Sequence, residues 1–240
     1  MDRATCLMSK EKRKRQKKVL REMRERKLKK TWWGKTFYFI WYEDSLLSWI
    51  INIILAFIFI KFIFYPLLGI LFGTGIPVVA VVSCSMDHGF TNCDNPGVMD
   101  NLCGVPGDGP VSFDIYWDHC GSFYTNRGIT QDQFKEFPMN NGFKKGEIIF
   151  LKGVSMSNIE IGDIVVFNAP QRSYPIIHRV IEKNSQYIGT KGDHNKDQIQ
   201  DGLFNEKQIK DYQMMGKAFF RLPYLGYIKI WFTDLVTIFR

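Results

Sequence analysis

From Leu46 to Phe72 the chain runs for 27 residues, LLSWIINIILAFIFIKFIFYPLLGILF, with one charge, Lys61. At about 1.5 Å per residue a helix of that length reaches about 40 Å, enough to cross a bilayer with tilt. A cleaved leader is the competing reading, but such leaders have an apolar core of roughly 7–15 residues behind a short basic region. Here both the apolar run and the basic region before it are far longer, so the segment reads as a permanent anchor. Lys61 either snorkels towards the far interface, with the helix ending near Tyr65 and Pro66, or the span is offset around it.

Charge then gives the anchor a direction. Residues 1–36 hold 15 Lys/Arg against 4 Asp/Glu, while the other 204 residues hold 17 against 20. A segment this dense in charge cannot bury a core, so residues 1–30 read as a disordered tail or a solvated helix. It could attract anionic lipid or nucleic acid, or simply hold the N-terminus in the cytoplasm. The positive-inside bias favours the last and places the residues after about 73 outside. Trp32, Trp33, Phe37, Tyr38, Phe39, Trp41 and Tyr42 form an aromatic cluster suited to a headgroup boundary.

Beyond the short joint Gly73-Thr74-Gly75, Ile76–Val82 (IPVVAVV) predicts a strand buried on both faces and ending at Ser83-Cys84-Ser85-Met86. From Gly89 to about Asn141 periodicity dissolves among Gly, Pro, Asn and Asp, which predicts a loop-rich insertion with short helix. Strands are then expected at Ile148–Leu151, Ile164–Phe167, Tyr174–Ile181 and Gln186–Thr190, with turns at Gly142–Glu147 and Ile161–Asp163. The expected fold class is therefore mainly β: a basic and aromatic segment 1–45, an anchor 46–72, and a β-sheet domain 73–228 carrying the insertion 89–141. Phe219–Arg240 is apolar but interrupted by Arg221, Pro223, Lys229 and Asp234, so it makes a poor second span. An amphipathic segment lying on the membrane is expected from Leu225, and 229–240 is assigned as the membrane-associated C-terminal segment.

The five cysteines, Cys6, Cys84, Cys93, Cys103 and Cys120, form no C-x-x-C pair, and no His completes a zinc set. No metal or organic cofactor is expected. Cys93, Cys103 and Cys120 share the irregular region, where an oxidising compartment would allow one disulfide.

Two side chains stand out as candidates for chemistry. Ser85 follows the first strand; a serine there is ordinarily a turn former. His178 lies inside an apolar strand, IIHRVI, where the ordinary reading is a core histidine satisfied by backbone. Strand-borne Ser and His could meet across a sheet, as nucleophile and proton acceptor. The polar run Thr190–Asn195 (TKGDHN) could supply an acid to orient the imidazole, or be an ordinary hairpin turn.

The order S-x-S-M (Ser83–Met86), G-D-I-V (Gly162–Val165), I-H-R-V (Ile177–Val180) and T-K-G-D-x-N (Thr190–Asn195), behind an apolar span, resembles type I signal peptidase. The resemblance covers about residues 46–88 and 142–228. Bacterial relatives use a lysine base, whereas archaeal and endoplasmic-reticulum relatives carry histidine in the H-R-V box. His178 aligns this chain with the second group, and the compact single chain points to an archaeal source.

The resemblance implies a membrane-bound serine endopeptidase that removes signal peptides on the extracytoplasmic face. Ser85 would be the nucleophile and His178 the base. Ser83 and the Ser85 amide would form the oxyanion hole. Asp201 is expected to orient His178, with Asp193 supporting the site. The implied partners are signal peptides of secretory preproteins, membrane lipid and the secretion translocon, with no role for nucleic acid. The implied location is the cell membrane, single-pass with the N-terminus cytoplasmic, or the endoplasmic reticulum membrane in a eukaryote. Two departures stand out: Cys84 replaces the usual glycine, and His88 stands where the family more often has proline. Cys84 would pack as a small hydrophobe. The rival reading is an inactive membrane-anchored binding or adaptor protein of the same fold.

Overall fold

The computed structural model describes residues 30–90, 92, 99–170, 172, 174–202, 204–223 and 225. The expectations for the basic segment up to residue 29 and for 229–240 lie outside the described residues. The chain divides into two compact units, Met1–Tyr65 and Pro66–Arg240.

In the first unit, helix α1 (Trp32–Tyr42) is capped by Thr31, whose hydroxyl accepts from Gly34 N–H at 3.1 Å. Its Trp32, Trp33 and Trp41 are exposed. Helix α2 (Leu46–Phe59) begins at its Ser45 cap. Ser48 Oγ donates to Phe39 O at 2.7 Å and Asn52 Nδ2 to Ile40 O at 2.9 Å. Two polar side chains of an otherwise apolar run thus satisfy carbonyls at the end of α1 that have no intrahelical partner.

The helix then widens into a π turn, Ile60–Phe64, in which Tyr65 N–H bonds Ile60 O, and continues as α3 (Tyr65–Phe72). Such a turn suits the approach to Pro66, which has no N–H to give and whose ring disfavours a regular turn before it. Lys61 lies in this turn, 5.4 Å from the Phe62 ring centroid and 5.8 Å from that of Phe57. The aromatic faces attract its charge. The whole helix, Leu46–Phe72, contains an 18-residue stretch of mean hydropathy 2.5 and is long and apolar enough to cross a membrane.

The second unit is built on one antiparallel sheet. Its first strand, β1 (Val78–Ala80), is shorter than expected. A small hairpin follows, β2 (Asn101–Leu102) and β3 (Val105–Pro106), then helices α4 (Phe113–Thr125) and α5 (Gln131–Lys135). Next come β4 (Ile148–Lys152), β5 (Ile164–Phe167), β6 (Ile176–Lys183) and β7 (Ile188–Lys191). A second small hairpin, β8 (Gln200–Asp201) with β9 (Phe204–Asn205), precedes the last strand, β10 (Met214–Leu222). The six-stranded sheet has the order β1-β4-β10-β5-β6-β7.

Two expectations are corrected here. The fold is mixed rather than mainly β: one long apolar helix plus a six-stranded antiparallel sheet, with two more helices in the insertion. The insertion combines loops and turns with helix, α4 spanning 13 residues from its Ser112 cap. The strand before Ser85 is not buried on both faces: β1 is an edge strand paired only with β4, and Val82 is exposed. An edge strand has a neighbour on one side only, so its continuous apolar character does not translate into full burial.

The strands from β4 to β7 fall within two residues of their expected bounds. β10 was not expected, yet it lies at the centre of the sheet. Its last residues, Phe219–Leu222, belong to this strand.

Period-two alternation divides the sheet's buried side chains. Val165, Phe167, Ile176, Val180 and Ile188 pack with Phe204 and Ile209 in one core. Ile164, Val166, Ile177, Ile149 and Leu151 pack with Met86 and Phe143 in another. The insertion has a third core, made of Phe90, Leu102, Tyr116, Cys120, Tyr124, Ile129 and Phe134, which receives Ile181 from β6. Burial on both faces is what fixes the register of β5 and β6.

Candidate active site

Strand β6 carries the two polar residues of the IHRV box on opposite faces, as the pleat requires. His178 faces the core that contains Phe167 and Val180; Arg179 faces the insertion.

On the His178 side, the ring Nδ1 is hydrogen-bonded to Glu206 Oε1. Glu206 is fully buried at the start of a short 3₁₀ turn, Glu206–Gln208. Its Oε1 also accepts from Thr190 Oγ1 at 3.0 Å, and its Oε2 accepts from Ile199 N–H at 2.6 Å. A carboxylate so held fixes the ring's orientation and tautomer, leaving Nε2 free for chemistry. A Cβ added at Gly192 would lie 2.7 Å from His178 Nε2 and 2.6 Å from the Ser85 carbonyl oxygen. The imidazole and the Ser85 main chain therefore crowd the same point, and only glycine fits between them.

Ser85 lies in a turn, not at a strand end: Asp87 N–H bonds Cys84 O at 2.9 Å. Its carbonyl accepts from His194 N–H at 2.9 Å, which ties the turn to the segment following β7. Ser85 Oγ is 3.4 Å from Ser83 Oγ, and among the described residues it makes no hydrogen bond to His178. Cys84 is disulfide-bonded, so it offers no thiolate beside Ser85.

Asp201 is not on His178. Its side chain is 51% exposed and pairs with Arg172 at 2.7 Å. The β8–β9 hairpin turns the chain between Asp201 and Glu206, so the later acid reaches the imidazole while Asp201 stays at the surface. Glu206 was missed because it sits in a polar stretch, NEKQ, that matches none of the four boxes. Its one signal is its place between Phe204 and Ile209, both buried.

On the Arg179 side lies a buried ion pair. Arg179 Nη2 is 2.7 Å and Nε 2.9 Å from the Asp193 carboxylate, and both side chains are fully buried. The remaining guanidinium donors go to the carbonyls of Pro138, Met139 and Gly162. Gly162 has φ +96°, and a Cβ there would strike the Phe137 ring at 2.3 Å, which explains the glycine of the GDIV box.

Asp193 also takes His88 Nε2 at 3.0 Å and Tyr124 Oη–H at 3.3 Å. Burial alone would raise the Asp193 pKa, but the Arg179 charge and the hydrogen bonds from His88 and Arg179 hold it well below the usual carboxylate range. Burial lowers the His88 pKa despite Asp193. His88 stacks on Tyr116 with ring centroids 3.6 Å apart, so it belongs to this structural cluster. The disulfide allowed by the sequence joins Cys103 to Cys120. Among the described residues no cluster of His, Cys, Asp and Glu could hold a metal.

No family model matches the chain. Over 105 residues it is 37% identical to the signal peptidase complex catalytic subunit of Schizosaccharomyces pombe, covering 40% of this chain and 54% of that protein. The catalytic subunit of Zygosaccharomyces rouxii is 33% identical over 105 residues, and that of Saccharomyces cerevisiae 33% over 104; each match covers 61% of the relative. The chain thus spans just over half the length of the curated relatives it matches. Over that stretch it is homologous to signal peptidase complex catalytic subunits. These relatives are fungal, and they lend no support to an archaeal source.

Proposed function

We propose that this protein is a membrane-anchored serine endopeptidase that cleaves signal peptides from secretory and membrane preproteins. The observation that carries the reading is the His178 ring, held at Nδ1 by buried Glu206, with Nε2 at the glycine that also abuts Ser85. The homology to signal peptidase complex catalytic subunits supplies the substrate class.

In this reading Ser85 Oγ attacks the scissile carbonyl while His178 Nε2 takes its proton. The imidazolium, stabilised by Glu206, then protonates the leaving amine, and water hydrolyses the acyl-enzyme by the same route in reverse. The Ser85 N–H and the Ser83 hydroxyl are the oxyanion donors, each worth on the order of 3 kcal/mol. Asp193 supports the site through its pair with Arg179 and takes no part in proton transfer.

Among the described residues the outer edge of β1 has no strand beside it, so an extended cleavage segment would pair there, its small side chains entering shallow pockets. The span Leu46–Phe72 holds the second unit at the bilayer, where signal peptides end. With the basic segment cytoplasmic, the catalytic domain (73–228) faces the extracytoplasmic side of the cell membrane, or the lumen of the endoplasmic reticulum. Lipid and the secretion translocon are the neighbours this placement calls for.

The test is cleavage of a model preprotein in detergent by wild type, Ser85→Ala, His178→Ala and Cys84→Ala. Loss with Ser85→Ala and His178→Ala, and retention with Cys84→Ala, is the expected pattern. Undiminished cleavage by Ser85→Ala would sink the assignment and leave an inactive binding or adaptor protein of the same fold as the better account.

A further inference from the structure

Helix α4 and the β2–β3 hairpin, both in the insertion, converge on the turn that follows β7. Tyr116 Oη–H donates to the Asp193 main-chain carbonyl at 3.1 Å, and Tyr124 Oη–H donates to its carboxylate. The two hydroxyls are themselves 3.1 Å apart. Cys103 N–H bonds the His194 carbonyl at 2.9 Å, and the Cys103–Cys120 disulfide joins that hairpin to α4. The outer side of residues 193–194 is thus held by the insertion, through groups that are almost all fully buried.

The inner side of the same turn touches the chemistry. His194 N–H holds the Ser85 carbonyl, and Gly192 fills the gap between that carbonyl and His178 Nε2. A shift of this turn therefore changes the separation of Ser85 and His178 directly. Held groups misplaced by about 1 Å can lose about a hundredfold in rate.

We infer that Tyr116 and Tyr124 are positioning residues: the insertion clamps the 192–194 turn through their hydroxyls and so sets the approach of Ser85 to His178. This rests on the reading of Ser85 and His178 as nucleophile and base. Burial, first, raises the pKa of both phenols well above the usual value; Asp193 adds to the rise in each, Tyr124 adds to it at Tyr116, and both remain donors throughout the working pH range. The tyrosine rings also build the insertion core with Phe134. Phenylalanine keeps that packing and removes only the hydroxyl.

The experiment uses full-length protein in detergent, comparing wild type, Tyr116→Phe, Tyr124→Phe and the double variant. A preprotein cleavage assay gives kcat and KM, hydrogen exchange follows the His194 amide, and thermal unfolding gives Tm. The expected result for the double variant is a fall in kcat of about tenfold or more with KM unchanged. Exchange at the His194 amide should rise about tenfold while Tm moves by only a few degrees. Each single variant should show a smaller change of the same kind, so they carry the test if the double variant does not fold. Unchanged kcat and unchanged exchange would overturn the clamp, as would a kcat loss that merely tracks Tm. Ser85→Ala runs beside them. If it cleaves as wild type does, the peptidase reading fails by itself, and the exchange measurement still decides whether the hydroxyls hold the turn.

Discussion

His178 and Arg179 are neighbours on one strand, yet their two surroundings are built for different ends. His178 has one carboxylate on one nitrogen and keeps the other nitrogen beside Gly192, which also abuts the Ser85 carbonyl. Arg179 has its donors consumed by Asp193 and three carbonyls, and nothing is left over for a substrate. A partly satisfied group can do chemistry; a fully satisfied one stabilises a fold. Substitutions on the two faces should accordingly fail in different ways.

The largest separation is expected at the acid. Glu206→Gln keeps the shape but loses control of the imidazole tautomer, and should lower kcat about 10³- to 10⁴-fold with a modest change in Tm. Asp201→Asn, at the surface, should cleave as wild type does. Steady-state kinetics on a preprotein separates the two, and equal loss in both would erase the assignment of Glu206.

On the other face, Arg179→Met removes the guanidinium that pairs with Asp193 and leaves that carboxylate buried with the weaker support of His88, Tyr124 and Lys191. It should cost about 3–5 kcal/mol of stability by thermal or denaturant unfolding. An apolar replacement of both partners should recover part of that loss. If Arg179→Met lowered kcat and left stability intact, the division between the faces would be wrong.

Next in size is the disulfide. Cys103 and Cys120 are 17 residues apart, and a loop of that length constrains the unfolded chain by about 3 kcal/mol in the chain-entropy account. The Cys103→Ser, Cys120→Ser double variant should lose about that much unfolding free energy, measured by denaturant titration.

The smallest effect is a pH dependence on the Arg179 side. Burial pushes the Lys191 pKa down to about 8, against the attraction of Asp193, Glu206 and Asp197. Arg127 adds to the lowering. The folded value lies below the unfolded one, so above pH 8 the folded state sheds a proton that the unfolded state retains. This group's contribution therefore rises with pH between about 8 and 10.5, by about 1 kcal/mol from pH 8 to 9. Wild type should gain that stability relative to Lys191→Met over the same interval; parallel curves would refute it.

Much of this was legible in the chain as written. The span could be read because 27 residues with one charge admit few other solutions. The strands from β4 to β7 could be read because apolar runs between turn residues are local signals. Helix α4 was legible in principle: Tyr116, Cys120 and Tyr124 recur every four residues behind a serine cap, and all three are buried. Their polar atoms, amid Asp, Gly and Ser, masked the period. β10 was hidden by its Phe pair, Phe219 and Phe220, which are half-exposed beside Phe150 and break the alternation at a bulge.

The sequence by itself determined the long apolar span, the charge asymmetry before it and the two residues, Ser85 and His178, proposed for the chemistry. Only the tertiary structure decided which acid reaches the imidazole, because Asp201 and Glu206 are five positions apart and a two-stranded hairpin separates their fates. Likewise only the fold gave the insertion a role against Asp193. Burial and hydrogen bonding between residues some 70 positions apart are properties of the packed chain, and no local pattern encodes them.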